Sequence, residues 1–397
     1  MRSTGSLKSS VSAIGAMVLC AFLLSRCLTP NAGVDGASYT DSANRMVVGV
    51  FGPGATNNYP YLKNIGVNTI VAGASSEVLD AAHSLGLQVI VQPGTHAGAH
   101  FNPVKAAEAI RNFDSHPAVK AWYFVDEPAF NRISPDDVHL AAETIREAGA
   151  TKPLTFTSWK TDQLLPYIES ADVLMVDRYP IPWMVPADLG QHVRMGSLAA
   201  GKDRPVWAVV QCFSWEAYPE HMGRESNLRP PSYNEMKAMT FDALAQGAEG
   251  ILFFGYQVTR WNLQDYPGLA VSLEMIIQQV REFEPVLTSP RIWKPLFTDY
   301  HDYPNRFNER GFGAVTFAFY QVEADKSSDA FPAGTYLLAV NTTYQKHGLT
   351  FHLPEWTSYS GSVVPRMTGG DGLVVDSDGR LSDHFNPLQV RIYGPLP

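Results

Sequence analysis

The run AWYFVDEP, residues 121–128, is a strongly apolar stretch that ends abruptly in two carboxylates and a proline. Seven further runs of this kind lie between residues 46 and 256, and each ends in polar, Gly or Pro residues. Such runs are typical of strands that are buried on both faces, as in a parallel sheet covered by helices. The eight predicted strands are 46–52, 69–74, 88–94, 121–128, 154–159, 173–182, 205–213 and 250–256.

Amphipathic stretches with helix-start and helix-stop residues lie between these runs. Ser134 followed by Pro135 is typical of a helix N-terminus, and Gly86 is typical of a C-terminus. Eight strand–helix units in residues 46–290 predict a (β/α)₈ TIM barrel. A doubly wound open sheet is the alternative, since periodicity alone does not show closure. The clearest predicted helices are 75–86, 103–113, 134–149 and 232–250.

The pattern changes after residue 290. Short apolar segments such as GAVTFAFYQV (313–322) and GTYLLAVNTT (334–343) are separated by Gly, Asn and Asp turns, with no helical periodicity between them. This spacing predicts a small antiparallel β-sandwich over residues 291–397.

The N-terminal sequence is typical of a targeting segment. The apolar run 11–24 follows only Arg2 and Lys8, and it is too short to span a bilayer, so residues 1–27 are expected to form a signal or lipoprotein-type leader. Cys27 is the candidate site of a lipid anchor, and residues 28–45 are expected to form a flexible tether. We therefore expect export to the periplasm, cell surface or medium, with membrane attachment only through the leader.

The net charge of −9 argues against nucleic acid or an anionic membrane as the main partner. The cysteines indicate neither a disulfide framework nor a zinc site. Cys212 is the single cysteine beyond the leader, and on an apolar strand it is expected to be a buried thiol.

Carboxylates follow two of the predicted strands at the barrel end where TIM-barrel active sites lie. Asp126 and Glu127 end strand 4, and Asp177 ends strand 6. Burial and a neighbouring negative charge both raise a carboxyl pKa, so such a group can stay protonated and donate its proton. Glycosidic bond cleavage requires this donor. The alternative is that Asp126 and Glu127 form ion pairs with Arg178 or Lys160 and only brace the mouth.

Aromatic side chains follow several of the same strands. Aromatic faces suit the C–H faces of sugar rings, so these side chains predict a carbohydrate ligand, although some could instead pack the loops. The residues expected to contact substrate are His96, Trp159, Tyr179, Gln211, Phe213, Trp215 and Tyr256.

A metal site is not favoured. His96 and His100 stand four residues apart in a loop, without a nearby acidic ligand or a His-x-His on strand 1. We expect neither a metal nor another cofactor. The rival hypothesis, a metal-dependent hydrolase using these two histidines, requires that a chelator abolish activity.

Several motifs resemble those of barrel-type glycoside hydrolases and their uncharacterised bacterial relatives. The resemblance covers roughly residues 46–397, and it implies an O-glycosyl hydrolase acting on an oligo- or polysaccharide, with an accessory β domain. The motifs that carry it are VDEP (125–128), DRYP (177–180), RPPSYNEM (229–236), GAEGI (247–251), LLAVN (337–341) and VRIY (390–393).

Under this resemblance Glu127 matches the acid/base of the retaining clan that uses a strand-4 glutamate. The chain departs from that clan in having Asp126 where Asn is usual and Gln211 where the strand-7 nucleophile is expected; Glu216 follows five residues later. An Asp-Glu pair is similar to hexosaminidase-type families, in which the Asp orients the acetamido group of the substrate. Alternatively, Asp177 is the second carboxylate. A rival from another class is a carbohydrate-binding barrel that has lost catalysis.

Overall fold

A computed structural model describes residues 45–218, 227–258, 260–301, 306–308, 311 and 313–397. The predicted leader and all of the tether except Arg45 lie outside these residues, so export and lipid attachment at Cys27 stay predictions. Within the described ranges, no helix combines the length and apolar character needed to cross a membrane.

Eight parallel strands form a closed barrel in chain order. Strand β1 pairs with β2 on one side and with β8 on the other, where Val48 lies beside Ile251. This closure confirms the TIM barrel and excludes the open doubly wound sheet. The strands are β1 Val47–Phe51, β2 Thr69–Gly73, β3 Gln88–Gln92, β4 Val119–Asp126, β5 Leu154–Thr157, β6 Val173–Asp177, β7 Val206–Gln211 and β8 Gly250–Phe254.

Serine caps begin three of the helices that cover the barrel. Ser75, Ser134 and Ser232 each accept a hydrogen bond from a backbone N–H in the first turn, which satisfies a donor that has no partner within the helix. The helices are α1 Tyr59–Asn64, α2 Ser76–Ser84, α3 Pro103–Phe113, α4 Pro135–Glu147, α5 Ala187–Ala200, α6 Tyr233–Gln246, α7 Pro267–Glu282 and α8 Glu284–Leu287.

The remaining strands include a short hairpin after the barrel and two antiparallel sheets further on. One sheet has the order β11-β13-β14-β19 and the other β12-β15-β18. Their inner faces share an apolar core that includes Leu337, Phe351 and Trp356, as the predicted sandwich requires. The strands are β9 Gln257–Val258, β10 Trp261–Asn262, β11 Arg291–Ile292, β12 Phe297–Tyr300, β13 Val315–Val322, β14 Gly334–Asn341, β15 His347–His352, β16 Val363–Val364, β17 Leu373–Val374, β18 Arg380–Phe385 and β19 Val390–Leu396.

The barrel interior is a packed core. Inward-facing side chains such as Ile90, Val209 and Leu252 form one buried cluster that also contains Tyr123 and Met175. Because this cluster fills the barrel, a ligand can enter only at the mouth, where the carboxyl ends of the strands lie.

Helix α6 joins the barrel to the β domain at both of its ends. At its C-terminus, the Tyr320 hydroxyl donates to the Leu244 carbonyl (3.0 Å) and Arg291 Nη2 donates to the Ala245 carbonyl (2.6 Å). These two β-domain side chains donate to carbonyls in the last turn of the helix, where the regular helical hydrogen bonds end. At its N-terminus, the Glu235 carboxylate accepts from the Tyr344 hydroxyl (2.6 Å) and from Arg229 through both of its oxygens (2.7 Å each).

Glu235 is therefore expected to make the domain junction sensitive to acid. Burial raises the pKa of this carboxyl, but hydrogen bonds from Arg229, Tyr344 and Ser232 outweigh burial and lower the pKa to about 2 from the ordinary value of 4.5. A depressed folded-state pKa stabilises the fold above the unfolded pKa, and that stabilisation is lost as the pH falls towards 2.

Glu235→Gln should lower the free energy of unfolding at pH 7 by about 2–3 kcal/mol, the scale set by the pKa shift and the lost charge. Urea denaturation at several pH values should show this difference shrinking between pH 5 and 3. The exposed Glu147→Gln is the control and should change little. An equal loss of the free energy of unfolding at pH 3 and pH 7 would contradict the stabilising role of the ionised Glu235 carboxylate.

Candidate active site

A bulge in strand β4 turns its last residues towards the barrel axis. Tyr123 pairs with Thr155, but Val125 pairs with Phe156 and Asp126 with Thr157, so one extra residue is inserted in β4. Successive side chains of a strand alternate between faces, and the insertion shifts this alternation by one. Asp126 therefore faces inwards, on the same side as Tyr123.

Two hydroxyl groups hold the Asp126 carboxylate. Thr157 Oγ1 donates to Asp126 Oδ1 (2.8 Å), and the Tyr123 hydroxyl makes a short hydrogen bond to the same oxygen. Burial and the charge of Asp126 raise the pKa of Tyr123 well above its ordinary value, so the phenol remains a donor. Asp126 is exposed at the mouth, and no described residue donates a hydrogen bond to Oδ2. This oxygen is the one available to a ligand.

Glu127 has a left-handed backbone conformation, with φ of +41°. Such a conformation costs a residue other than glycine roughly 1–3 kcal/mol and persists only where the surroundings impose it. Here the Glu127 N–H donates to the Thr157 carbonyl (3.1 Å), and the Glu127 carbonyl accepts from the Asn131 N–H (2.9 Å). These bonds fix the point at which the chain leaves β4, and with it the direction of the Glu127 side chain.

The Glu127 carboxyl forms a hydrogen bond with the carboxyl group of Asp177. Asp177 ends β6 and is in phase with Val173 and Met175, which face the barrel interior. It is only 5% exposed, whereas Glu127 is half-buried. The structure thus brings together the strand-4 and strand-6 carboxylates that the sequence predicted.

Burial favours the protonated forms of both carboxyl groups. Burial, together with the charge of Glu127, raises the pKa of Asp177 well above its ordinary value. Burial also raises the pKa of Glu127, reinforced by Asp126 and opposed by the hydrogen bond to Asp177 and by the charges of Arg178 and Lys160. A hydrogen-bonded acid pair of this kind titrates as a unit.

The two nearby cations do not neutralise the pair. Arg178 is bound to Asp188 (Nε–Oδ2 2.5 Å) and lies over the Trp159 ring at 4.9 Å. Lys160 Nζ lies 5.6 Å from the centre of the same ring. Among the described residues, neither cation forms an ion pair with Asp126 or Glu127, so the alternative of a mere brace is not supported.

Aromatic rings line the β6–β8 side of the mouth. Tyr179 is half-buried, stacks on Phe254 (5.2 Å between centres, 21° between planes) and lies 6.2 Å from Trp215. Phe213 and Tyr256 were expected to contact substrate, but they are 0% and 2% exposed. They support the rim from below, whereas Tyr179 and Trp215 are half-buried and Trp183, 5.1 Å from Trp215, is exposed.

Gln211 also differs from its predicted role. Its Nε2 donates to the carbonyls of Ile181 (2.8 Å) and Phe213 (3.1 Å), and its Oε1 accepts from the Ile181 N–H (2.9 Å). The side chain is fully buried, and its amide is committed to the backbone of two loops. Gln211 therefore shapes the mouth instead of contacting a ligand.

His96 borders the mouth beside Tyr123, with 5.3 Å between the ring centres. Burial lowers its pKa, opposed by the charge of Asp126, so the ring is neutral near pH 7 and can either donate or accept a hydrogen bond. His100 is exposed in the following loop. Among the described residues, no cluster of three or more His, Cys, Asp or Glu side chains is arranged to hold a metal ion.

Glu216 does not join the carboxyl pair. It is exposed and accepts a hydrogen bond from the Ser214 hydroxyl (3.3 Å) in the loop after β7. Cys212, on the same segment, is buried, as expected, and burial raises its pKa to about 12. Its thiol therefore stays protonated.

Sequence reasoning missed the two hydroxyls that hold Asp126. In the sequence, Tyr123 lies within an apolar strand and Thr157 within the apolar run that forms β5. Their partnership depends on the bulge in β4, which an uninterrupted apolar run does not indicate. The one feature of the sequence that could indicate this hydrogen bond is a tyrosine three positions before the carboxylate. It predicts the bond only if the bulge in β4 is already known.

A cavity of about 540 Å³ adjoins the mouth on the β1–β3 side. Its wall includes Phe51, Gln92, Phe254 and Gln257. This volume is in the range of small-molecule sites and suits a few sugar rings.

No protein-family model matches the chain, and no curated protein matches it. Solved structures do share its fold. An α-amylase from Geobacillus thermoleovorans, complexed with acarbose, has a TM-score of 0.54 at 10% identity, covering 89% of this chain and 99% of that one. A glycoside hydrolase family 5 protein from Bacteroides vulgatus has a TM-score of 0.53 at 12% identity, covering 88% of each chain. The chain thus has a TIM-barrel fold similar to that of glycoside hydrolases.

The buried acid pair should make the protein less stable as the pH rises. A carboxyl whose folded-state pKa is raised stabilises the fold below its unfolded pKa, and this contribution is lost as the pH rises through the folded pKa. Asp177→Asn should therefore raise the free energy of unfolding at pH 8 by roughly 0.5–2 kcal/mol, the usual range when strain at a functional site is removed.

Urea denaturation at pH 4 and pH 8 measures this effect, with the exposed Asp203→Asn as control. The gain in the free energy of unfolding should be larger at pH 8. Asn resembles the neutral acid, so it removes the cost of ionising a buried carboxyl group, and that cost grows as the pH rises. A gain confined to pH 4, or a loss at pH 8, would show that Asp177 is stable as an anion.

Proposed function

We propose that this protein is a glycoside hydrolase that cleaves an oligo- or polysaccharide, with Glu127 as the proton donor. The observation that carries the proposal is the close Glu127–Asp177 pair at the mouth of a closed barrel, where burial raises the pKa of both carboxyl groups. A glycosidic oxygen leaves poorly unless it is protonated, and a carboxyl group with a raised pKa supplies that proton near neutral pH. The half-buried Tyr179 and Trp215 supply faces against which sugar rings can pack.

The geometry favours a mechanism in which the substrate supplies its own nucleophile. Two-carboxylate glycosidases need about 5 Å or about 6.5–9.5 Å between their acid and second carboxylate, so that the anomeric carbon, or a water as well, fits between them. The side-chain hydrogen bond between Glu127 and Asp177 indicates a closer approach than either of these spacings. Asp126, by contrast, is oriented by two hydroxyls and presents Oδ2 to the mouth.

We therefore infer that the substrate carries a 2-acetamido group. Glu127 donates its proton to the glycosidic oxygen as the bond to the anomeric carbon breaks. The acetamido oxygen attacks that carbon and forms a cyclic oxazolinium ion, while Asp126 accepts a hydrogen bond from the acetamido N–H. Water then attacks the anomeric carbon, Glu127 takes its proton, and the ring reopens. In this scheme Asp177 is a positioning residue that holds the proton on the pair.

Glu127→Gln should reduce kcat by about 10²–10⁴-fold, the usual contribution of a general acid, and leave ligand binding intact. Purified protein would be tested on a panel of aryl glycosides that includes N-acetylhexosaminides. Glu216→Gln is the matched control, because it removes an exposed carboxylate near the mouth and should retain activity. Full activity in Glu127→Gln would remove the assignment.

The mechanism predicts separate outcomes for Asp126 and Asp177. On a 2-acetamido substrate, Asp126→Asn should lose about 10²-fold or more in kcat, because the oxazolinium ion loses its anionic partner. NMR should show that the first product retains the anomeric configuration. Covalent labelling of Asp177 by a 2-fluoro glycoside would instead identify Asp177 as a nucleophile and overturn the assisted route.

The second candidate is a carbohydrate-binding barrel without catalysis. It is favoured by one observation, the commitment of Gln211 to loop backbone where a strand-7 nucleophile is expected. A glycan-binding array run beside the activity panel separates the two, since binding with no turnover of any substrate supports the second candidate.

A further inference from the structure

A second concave surface lies at the opposite end of the barrel from the mouth. It is a groove of about 1120 Å³ that runs from α5 and the end of α6 to strands β11, β12 and β13. The helices run antiparallel to the barrel strands, so the C-terminus of α6, where Gln246 lines the groove, is at the end remote from Glu127. A ligand in this groove does not touch the carboxyl pair.

Exposed aromatic rings form part of the groove wall. Trp293 is 84% exposed, Phe297 61% and Phe307 53%. Large apolar side chains exposed together in one concave surface are uncommon unless they meet a ligand or partner. Tryptophan offers the largest flat face for stacking on a sugar ring.

Four cationic side chains line the same groove: Arg194, Arg291, Lys294 and Arg306. No Asp or Glu is found among the described residues of its wall, although the chain carries a net charge of −9. Lys294 pairs with Glu355 at 2.9 Å. Burial raises the pKa of Glu249, and the charge of Arg291 opposes this, so Arg291 also has an anionic neighbour. The described residues of the wall thus carry cations and no carboxylates, on a chain whose net charge is −9.

Arg194 and Arg291 approach the groove from the barrel side. Arg194 is exposed on α5, and no described residue forms an ion pair with it. Arg291 uses Nη2 to hold the Ala245 carbonyl, which fixes its guanidinium at the edge of the groove. From the β domain, the Arg306 guanidinium lies 4.8 Å from the Phe307 ring, so a cation and an aromatic face stand together.

We propose that this groove binds an acidic polysaccharide. Sugar rings stack on Trp293 and Phe297, and carboxylate or sulfate groups contact the arginines, whose planar donors suit both anions. A wall that carries both exposed aromatic rings and cations suits a polymer that has both sugar rings and anionic groups. A nucleic acid carries a denser charge than a polyuronate, so the acidic remainder of the protein would repel it more strongly.

In this proposal the groove binds a polysaccharide without cleaving it, and its binding does not depend on catalysis at the mouth. Its existence does not require that the barrel cleave anything, and the two claims can fail separately. Binding by the Glu127→Gln protein, measured without turnover, tests the groove alone.

The test is affinity electrophoresis and calorimetry of Glu127→Gln with polygalacturonate, dextran sulfate and neutral dextran. We expect one or both acidic polymers to bind, with affinity falling as salt rises, and dextran not to bind. Adding Arg194→Gln and Arg306→Gln should weaken binding about tenfold, as expected for the loss of two charge-assisted contacts. Adding Trp293→Ala instead should weaken it by a similar factor while leaving the fold intact, because the ring is exposed.

The control adds Arg111→Gln and Lys346→Gln, two exposed cations away from the groove that change the net charge by the same amount. Equal weakening in this control would show that only overall charge matters and would overturn the proposal. Failure to bind either acidic polymer, or preferential binding of single-stranded DNA or anionic vesicles, would overturn it as well.

Discussion

The hydrogen bond between Glu127 and Asp177 is the interaction on which the site depends. Two carboxylates this close repel each other if both ionise, and burial makes ionisation more costly still. The pair therefore retains a proton under conditions in which an isolated carboxylic acid would have lost it. Residues about fifty positions apart meet here because β4 and β6 are parallel strands that end at the same mouth.

The barrel also supplies the restraints that keep the site in place. A bulge in β4 turns Asp126 inwards, and the left-handed backbone at Glu127 is held by hydrogen bonds on both sides. Gln211 extends this network by fixing two loops from below. The result is a rigid set of carboxyl groups whose protonation is set by burial, as catalytic acids require.

The fold alone does not decide the chemistry. Solved amylase and family 5 structures share this architecture at 10–12% identity, and the same barrel hosts many reactions. The chemical argument rests on local features, above all the direct contact of Glu127 with Asp177 and the fixed orientation of Asp126. Those features differ from the separated carboxylates of a two-carboxylate glycosidase, and the substrate-assisted mechanism that we propose rests on this difference.

The sequence by itself determined the eight strands, the capped helices, the β domain and the carboxylates at the exits of strands 4 and 6. These follow from local periodicity, from capping residues such as Ser232, and from the end at which TIM barrels place their sites. Only the tertiary structure decided that the sheet closes, that Tyr123 and Thr157 hold Asp126, and that Gln211, Phe213 and Tyr256 lie beneath the surface. A bulge changes which face a residue occupies without changing the apolar pattern, and burial depends on loops that arrive from distant strands.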